Sequence, residues 1–325
     1  YMNPSAYLSG QMASDFQIDM VYHGLRSLKD VLVQQLPQNP FMFKDCNREE
    51  LKKVWGFGWT LYGLLEQSST SFPLEESDLI ICALHHTGSH DFRGFHRFVR
   101  EFVSHFGKKV IAIDGSDHTD YMDETADICL YFKRELLDNR TTAEPIFFAI
   151  PEEKISYPKL NKIYDFSPMV PANYNWGNDH VKSYIYKTEE NYYEQYQQSY
   201  FAYACRKAGW ATGRGQEIIA NACIPFYTDI EECPKNCLFR YPKELCIEAK
   251  RLPGVLPGTI NPYNPEVSTF IGDTRQIKLG EERGRIDWDK FNTGRYEQLL
   301  GEFITHLRQM LTTKSLAQYL LEKSL

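Results

Sequence analysis

The sequence predicts an α/β protein of two halves with parallel sheets, closed by a helical tail. Three observations carry that expectation. Short apolar runs alternate with helix-period patterns through most of the chain, as in folds where helices cross between parallel strands. A proline-punctuated stretch, Pro145, Pro151, Pro158, Pro168 and Pro171, interrupts the alternation near the middle. After Trp288 the strand signal stops and one apolar helical face persists. The 325 residues fit about two domains at roughly 150 residues each. The expected divisions are 1–155, 156–290 and a helical segment 291–325.

In the first half, Ala6-Tyr7-Leu8 is a candidate strand, and Ile18, Val21, Leu25 and Leu28 repeat at helical spacing. Val31-Leu32-Val33 reads as a second strand and Lys53 to Leu65 as a Gly- and aromatic-rich third element. Asp78 to Leu84, Lys109 to Ile113 and Ile128 to Phe132 read as strands, with a helix over Phe92 to Phe106. The second half opens on a strand at Lys162 to Phe166, followed by a tyrosine-rich helical region ending near Gln198. Tyr200 to Cys205 and Cys223 to Tyr227 are strands separated by a glycine-containing loop and a short helix. In the tail, Tyr296, Leu299, Leu300, Phe303, Ile304, Leu307 and Leu311 share a face, and Thr312 or Thr313 caps a final helix.

Composition narrows the function. A 42% hydrophobic, 14% aromatic chain buries sizeable cores and is not a disordered tail. A net charge of −7 argues against broad, non-specific binding to nucleic acid or an anionic membrane. Apolar runs such as Leu79 to Leu84 are far shorter than the roughly 20 residues of a membrane span. The first residues show no basic stretch followed by an apolar one, so no secretory leader is expected and Met2 reads as the start. The eight scattered cysteines read as reduced thiols, which predicts a cytoplasmic protein.

The most informative stretch runs from Tyr200 to Pro225, as strand, loop, helix and strand. Free backbone N–H groups at the start of that helix suit a diphosphate. Gly209, Gly213 and Gly215 allow close backbone approach, and Lys207 and Arg214 supply positive charge. Thr212 lies in the same loop. Glu217, in the first turn, is placed to accept hydrogen bonds from both hydroxyls of a ribose. The spacing is not GxGxxG, so a redox dinucleotide is not the first choice. The competing reading is an ordinary βαβ unit whose Arg214 and Glu217 are solvated or paired with each other.

Arg214-x-x-Glu217 followed by Ala220-Asn221-Ala222-Cys223-Ile224-Pro225 resembles the donor-site motif of GT-B glycosyltransferases, especially exostosin-like and viral or bacterial relatives. Asp19 to Leu25, Lys109 to Asp117, Lys133-Arg134-Glu135, Pro242 to Leu245 and Leu311 to Lys314 resemble further family segments. The surroundings of Arg214, Thr212-Gly213-Arg214-Gly215-Gln216, are smaller than in many relatives. The resemblance implies two Rossmann-like domains, a nucleotide-sugar held mainly by the second, and C-terminal helices packing back on the first. It gives Glu217 the ribose and Arg214 the diphosphate, with Lys207 and Arg134 neutralising phosphate charge. It implies no obligatory metal or other cofactor.

Catalytic candidates follow predicted strands of the first half, where the carboxyl ends of parallel strands line a ligand crevice. They are Asp114, Asp117, His85 and His86, any of which suits deprotonation of an acceptor hydroxyl; a turn-forming Asp or surface His is the alternative. Asp19 and His23, four apart on a predicted helix, are acceptor-side candidates and would make a base if they face one another. His85, His86, His90 and His118 with Asp114 and Asp117 fit no metal-ligand spacing, and neither do Cys233, Cys237 and Cys246. The expected function is therefore transfer of a sugar from a nucleotide-sugar, UDP-sugar favoured, to a hydroxyl on a glycan. One alternative is glycosylation of a hydroxylated base in DNA, for which Arg93, Arg97, Arg100, Lys108 and Lys109 offer a phosphate-binding strip. Another is a nucleotide-sugar epimerase or a non-catalytic nucleotide-sugar-binding module.

Overall fold

The computed structural model describes residues 15–52, 54–67, 71–84, 92–138, 142–157, 161–168, 186–206, 209–258 and 284–325. In chain order its elements begin with α1 Phe16–Arg26, α2 Arg48–Leu51, β1 Ile80–Leu84, α3 Phe92–Phe106 and β2 Val110–Asp114. Then come α4 Asp123–Ala126, β3 Leu130–Lys133, β4 Ala143–Pro145, β5 Tyr164–Phe166, α5 Glu189–Gln197 and β6 Ser199–Ala204. The chain continues through α6 Arg214–Ala220, β7 Ile224–Tyr227, α7 Lys243–Lys250 and the short strands β8 Val255–Leu256 and β9 Arg285–Ile286. It ends with α8 Thr293–Met310 and α9 Thr313–Ser324. Two compact units result: Tyr1–Glu152 with Pro234–Phe239 and Thr312–Leu325, and Glu153–Cys233 with Arg240–Leu311.

The first unit is a parallel sheet in the order β1-β2-β3-β4. Parallel strands are buried on both faces, which is why they read as continuous apolar runs. Ile80, Cys82, Leu84, Val110 and Ala112 face Phe95 and Val99 of α3. Phe132 meets Tyr319 of α9, ring centroids 6.1 Å apart. Asp15 caps α1 by accepting from the backbone N–H groups of Gln17 and Ile18 at 3.0 and 3.3 Å. Thr312 caps α9 through Ser315 N–H at 3.1 Å, one of the two capping residues expected.

The second unit carries the parallel sheet β5-β6-β7 and the antiparallel pair β8-β9. Its core is aromatic: Phe166 stacks on Phe201 and Tyr203 at 5.3 and 5.0 Å, and Phe226 meets its edge at 5.2 Å. Tyr296 docks α8 on this sheet by donating to the Tyr200 carbonyl at 3.0 Å. The chain is thus a mixed α/β protein with two parallel sheets.

One expectation is corrected. Val31-Leu32-Val33 is irregular, with Leu32 76% exposed. β-Branched residues favour a strand only where a sheet edge receives it, and no described strand pairs with this one. Over its described residues, 54–65, the Gly- and aromatic-rich third element is a short 3-10 segment, Trp55–Gly58, and turns, with Gly56, Phe57 and Gly58 all at φ near +60° (63°, 54° and 65°). The strand expected at Ala6-Tyr7-Leu8 lies outside the described residues. Among the described residues, no helix is long and apolar enough to cross a membrane.

Candidate functional site

The stretch after β6 begins with Arg206, whose guanidinium lies 4.3 Å from the Trp210 ring centroid and 3.0 Å from Asp229 just past β7. That pair ties the start of the loop to the neighbouring strand's end. Lys207 lies outside the described residues; Gly209 is buried, and Thr212 and Gly213 are partly buried. The Thr212 hydroxyl oxygen is buried without a hydrogen-bond partner among the described residues. Gly213 stands at the N-cap of α6 with open space around it. Gly215 has none: a Cβ there would lie 2.5 Å from the Tyr241 hydroxyl and 2.8 Å from that of Tyr227.

α6 is only seven residues long. Its helix-terminus charge is therefore a lesser asset than its two charged side chains, Arg214 and Glu217, one turn apart. It ends in a Schellman turn, with Ala222 N–H on the Ile219 carbonyl at 3.0 Å and Cys223 N–H on that of Ile218 at 3.1 Å. Ala222 takes the left-handed conformation this turn needs (φ 54°), which accounts for the small residue following Asn221. Asn221 donates to the Glu217 carbonyl at 2.9 Å and accepts from Gln197 at 2.8 Å.

Arg214 and Glu217 are neither simply solvated nor simply paired with each other. Thr188 caps α5 and sets Tyr192 and Tyr196 one turn apart on it. Tyr192 donates to the Glu217 carboxylate at 2.5 Å, Tyr196 to the Tyr192 hydroxyl at 3.3 Å, and Arg214 to the Tyr196 hydroxyl at 3.3 Å. Burial, and then the Glu217 charge, push the Tyr192 hydroxyl well above its usual range. Burial pushes Tyr196 up to about 12, with the Arg214 charge pulling the other way. A tyrosine-rich helical region was visible in sequence, but the meeting of Tyr192 with Glu217 depends on how α5 and α6 pack.

Of the first-half candidates, Asp114 and Asp117 are described and lie in the first unit. Asp114, at the end of β2, is fully buried and lies 3.1 Å from the equally buried Lys133 at the end of β3. It also accepts from Ser116 N–H at 2.9 Å and the Tyr131 hydroxyl at 2.7 Å. Burial alone would raise its pKa, but Lys133, Ser116 and Tyr131 outweigh that and hold it below the usual carboxylate range. Asp117 pairs with Arg134, which also donates to the Gly115 carbonyl at 2.9 Å and lies 4.2 Å from the Phe148 ring. His85 and His86 lie outside the described residues.

Asp19 and His23 have separate partners. Asp19 accepts from the Tyr62 hydroxyl at 2.7 Å, Asn39 at 3.0 Å and Asp15 N–H at 3.1 Å. His23 Nδ1 lies against Thr313 Oγ1. Among the described residues no group of three His, Cys, Asp or Glu side chains is arranged to hold a metal ion, and the eight cysteines are free thiols. No protein-family model, curated protein or solved structure matches this chain.

Proposed function

We propose that the protein is a GT-B glycosyltransferase, moving a sugar from a nucleotide-sugar, UDP-sugar favoured, to a hydroxyl on a glycan. One observation carries the reading: Arg214 and Glu217 stand one turn apart on α6, joined through Tyr196 and Tyr192 in a single hydrogen-bonded chain. A guanidinium suits a diphosphate and a carboxylate suits a ribose diol, so the pair matches the two polar ends of a nucleoside diphosphate. In transfer, the acceptor oxygen bonds to the anomeric carbon while the bond to the diphosphate breaks. The diphosphate leaves with the electron pair, and Arg214 steadies its charge. The acceptor hydroxyl's proton passes to a base or solvent.

The test is a thermal-shift screen against UDP, GDP, CDP, ADP, dTDP and CMP, with Glu217→Ala alongside. A ligand at about 100 times its Kd adds about 2.7 kcal/mol, enough to raise the melting midpoint by several degrees. One nucleotide should do so, and Glu217→Ala should weaken its binding by about 1.5–3 kcal/mol. Stabilisation by none of the six would sink the reading. Conversion of the sugar nucleotide without an acceptor would favour an epimerase, and binding without turnover a non-catalytic module.

A second reading, with a hydroxylated DNA base as acceptor, draws on α3. Arg93, Arg97 and Arg100 are all exposed on the face turned away from Phe95 and Val99. Lys108 and Lys109 follow, the latter donating to the Ser77 carbonyl at 3.0 Å. Three neutralised phosphates predict a loss of DNA affinity of about tenfold to hundredfold between roughly 50 and 200 mM salt. Salt-insensitive or absent DNA binding leaves the glycan acceptor.

A further inference from the structure

Tyr192 is absent from the donor reading drawn from the sequence, yet its hydroxyl lies closer to Glu217 than that of Tyr196 does to Tyr192. We infer that Tyr192 is a positioning residue for nucleotide binding, its hydroxyl holding the Glu217 carboxylate in the orientation that receives the ribose. This rests on the donor-site reading of Arg214 and Glu217.

A glutamate on a helix surface has three side-chain torsions, which a ligand must freeze on binding. The bond from Tyr192, 2.5 Å long, fixes them beforehand, and pre-organisation of this kind appears as affinity. It occupies one of about four acceptor positions on a carboxylate. The chain also has a direction. Arg214 donates to Tyr196, Tyr196 to Tyr192, and Tyr192 to Glu217, so a cation polarises each hydroxyl toward the carboxylate. Held protonated by burial and by the Glu217 charge, Tyr192 stays a donor through the ordinary working pH range. Its ring is anchored independently, against Tyr193 and Tyr196 with centroids 5.3 Å away in each case. Replacing Tyr192 by Phe therefore removes the hydroxyl and leaves the packing.

The experiment is titration calorimetry on the full chain with UDP, GDP, CDP, ADP and dTDP. Wild type, Tyr192→Phe, Glu217→Ala and the double variant are compared, with melting temperatures taken in parallel. The nucleotide that wild type binds should bind Tyr192→Phe about tenfold more weakly, with little change in melting temperature. In the Glu217→Ala background the same substitution should change affinity by less than about twofold, the signature of action through Glu217. A structural role alone would not produce that coupling. Should Tyr192→Phe fail to fold, Tyr196→Phe replaces it, with an expected loss of about threefold and the same dependence on Glu217. Affinity within twofold of wild type while Glu217→Ala loses tenfold would overturn the inference and leave the donor site standing. Equal losses in both backgrounds would overturn it as well. Binding of none of the five nucleotides, with no stabilisation by CMP either, removes the donor reading and this inference together.

Discussion

His23 Nδ1 lies 2.9 Å from Thr313 Oγ1, joining the last turn of α1 to the first turn of α9 across 290 positions of sequence. The adjacent Gly24 makes the approach possible, because a Cβ there would run into the Thr313 carbonyl oxygen. That oxygen belongs to backbone held in place, since Thr313 N–H donates to the Ile150 carbonyl at 2.9 Å. Gly24→Ala should therefore push the two helices apart and cost about 1–3 kcal/mol, the usual range for overpacking. Chemical denaturation measures this as a lower midpoint at unchanged slope.

The elements legible in sequence were those whose own residues supply the driving force. α3 was readable over its whole length because Phe95 and Val99 recur at helical spacing, and β1 and β2 because buried parallel strands are apolar throughout. β4 was not legible: Ala143, Glu144 and Pro145 have no strand pattern and belong to the sheet only through their register with Tyr131, Phe132 and Lys133. Val31 to Val33 shows the converse, strand propensity with no strand beside it among the described residues. At the site, Arg214 and Glu217 were legible from their spacing on one helix. Tyr192 was not, because its partner lies 25 positions further on and only the packing of α5 against α6 brings them together.

Asp19 gives the first unit a pH dependence of defined sign. Burial, with the nearby Asp15 charge adding to it, raises its pKa from 3.8 to about 7, while bonds from Tyr62 and Asn39 oppose the rise. A carboxyl that binds its proton more tightly when folded favours folding at low pH. That contribution is lost as pH rises from about 4 to about 7, then levels off. At about 1.4 kcal/mol per pH unit, the three-unit shift bounds the effect at about 4 kcal/mol. Urea denaturation across this window should show falling stability in wild type and a flatter profile in Asp19→Asn. Identical profiles would refute the assignment.

Asp114 and Lys133 should behave as a unit. Removing either partner strands a buried charge, so Asp114→Leu or Lys133→Met alone should cost about 3–5 kcal/mol. The double substitution should cost less than either single one, because an apolar pair leaves no charge to compensate. Single variants as stable as wild type would mean that water reaches the pair. The lowered pKa of Asp114 adds a separate acid effect: its stabilisation is present above the ordinary carboxylate value and is lost as pH falls below it, opposite in sign to that of Asp19.

Gly215 links the core of the second unit to the candidate site. The Tyr227 and Tyr241 hydroxyls converge on it from buried rings whose centroids are 5.8 Å apart. In Gly215→Ala the new methyl group meets both oxygens and must displace either a tyrosine or the start of α6. A shift of α6 carries Arg214 and Glu217 with it, so under the proposed donor-site function nucleotide affinity should fall along with a stability loss of about 1–3 kcal/mol. Tyr241→Phe deletes the nearer oxygen, at 2.5 Å from the added carbon. Combined with Gly215→Ala, it should recover part of the affinity, since the Tyr227 hydroxyl at 2.8 Å and the Tyr241 ring carbon at 2.9 Å remain. If the double variant binds no better than Gly215→Ala alone, the methyl group does not act through the Tyr241 hydroxyl.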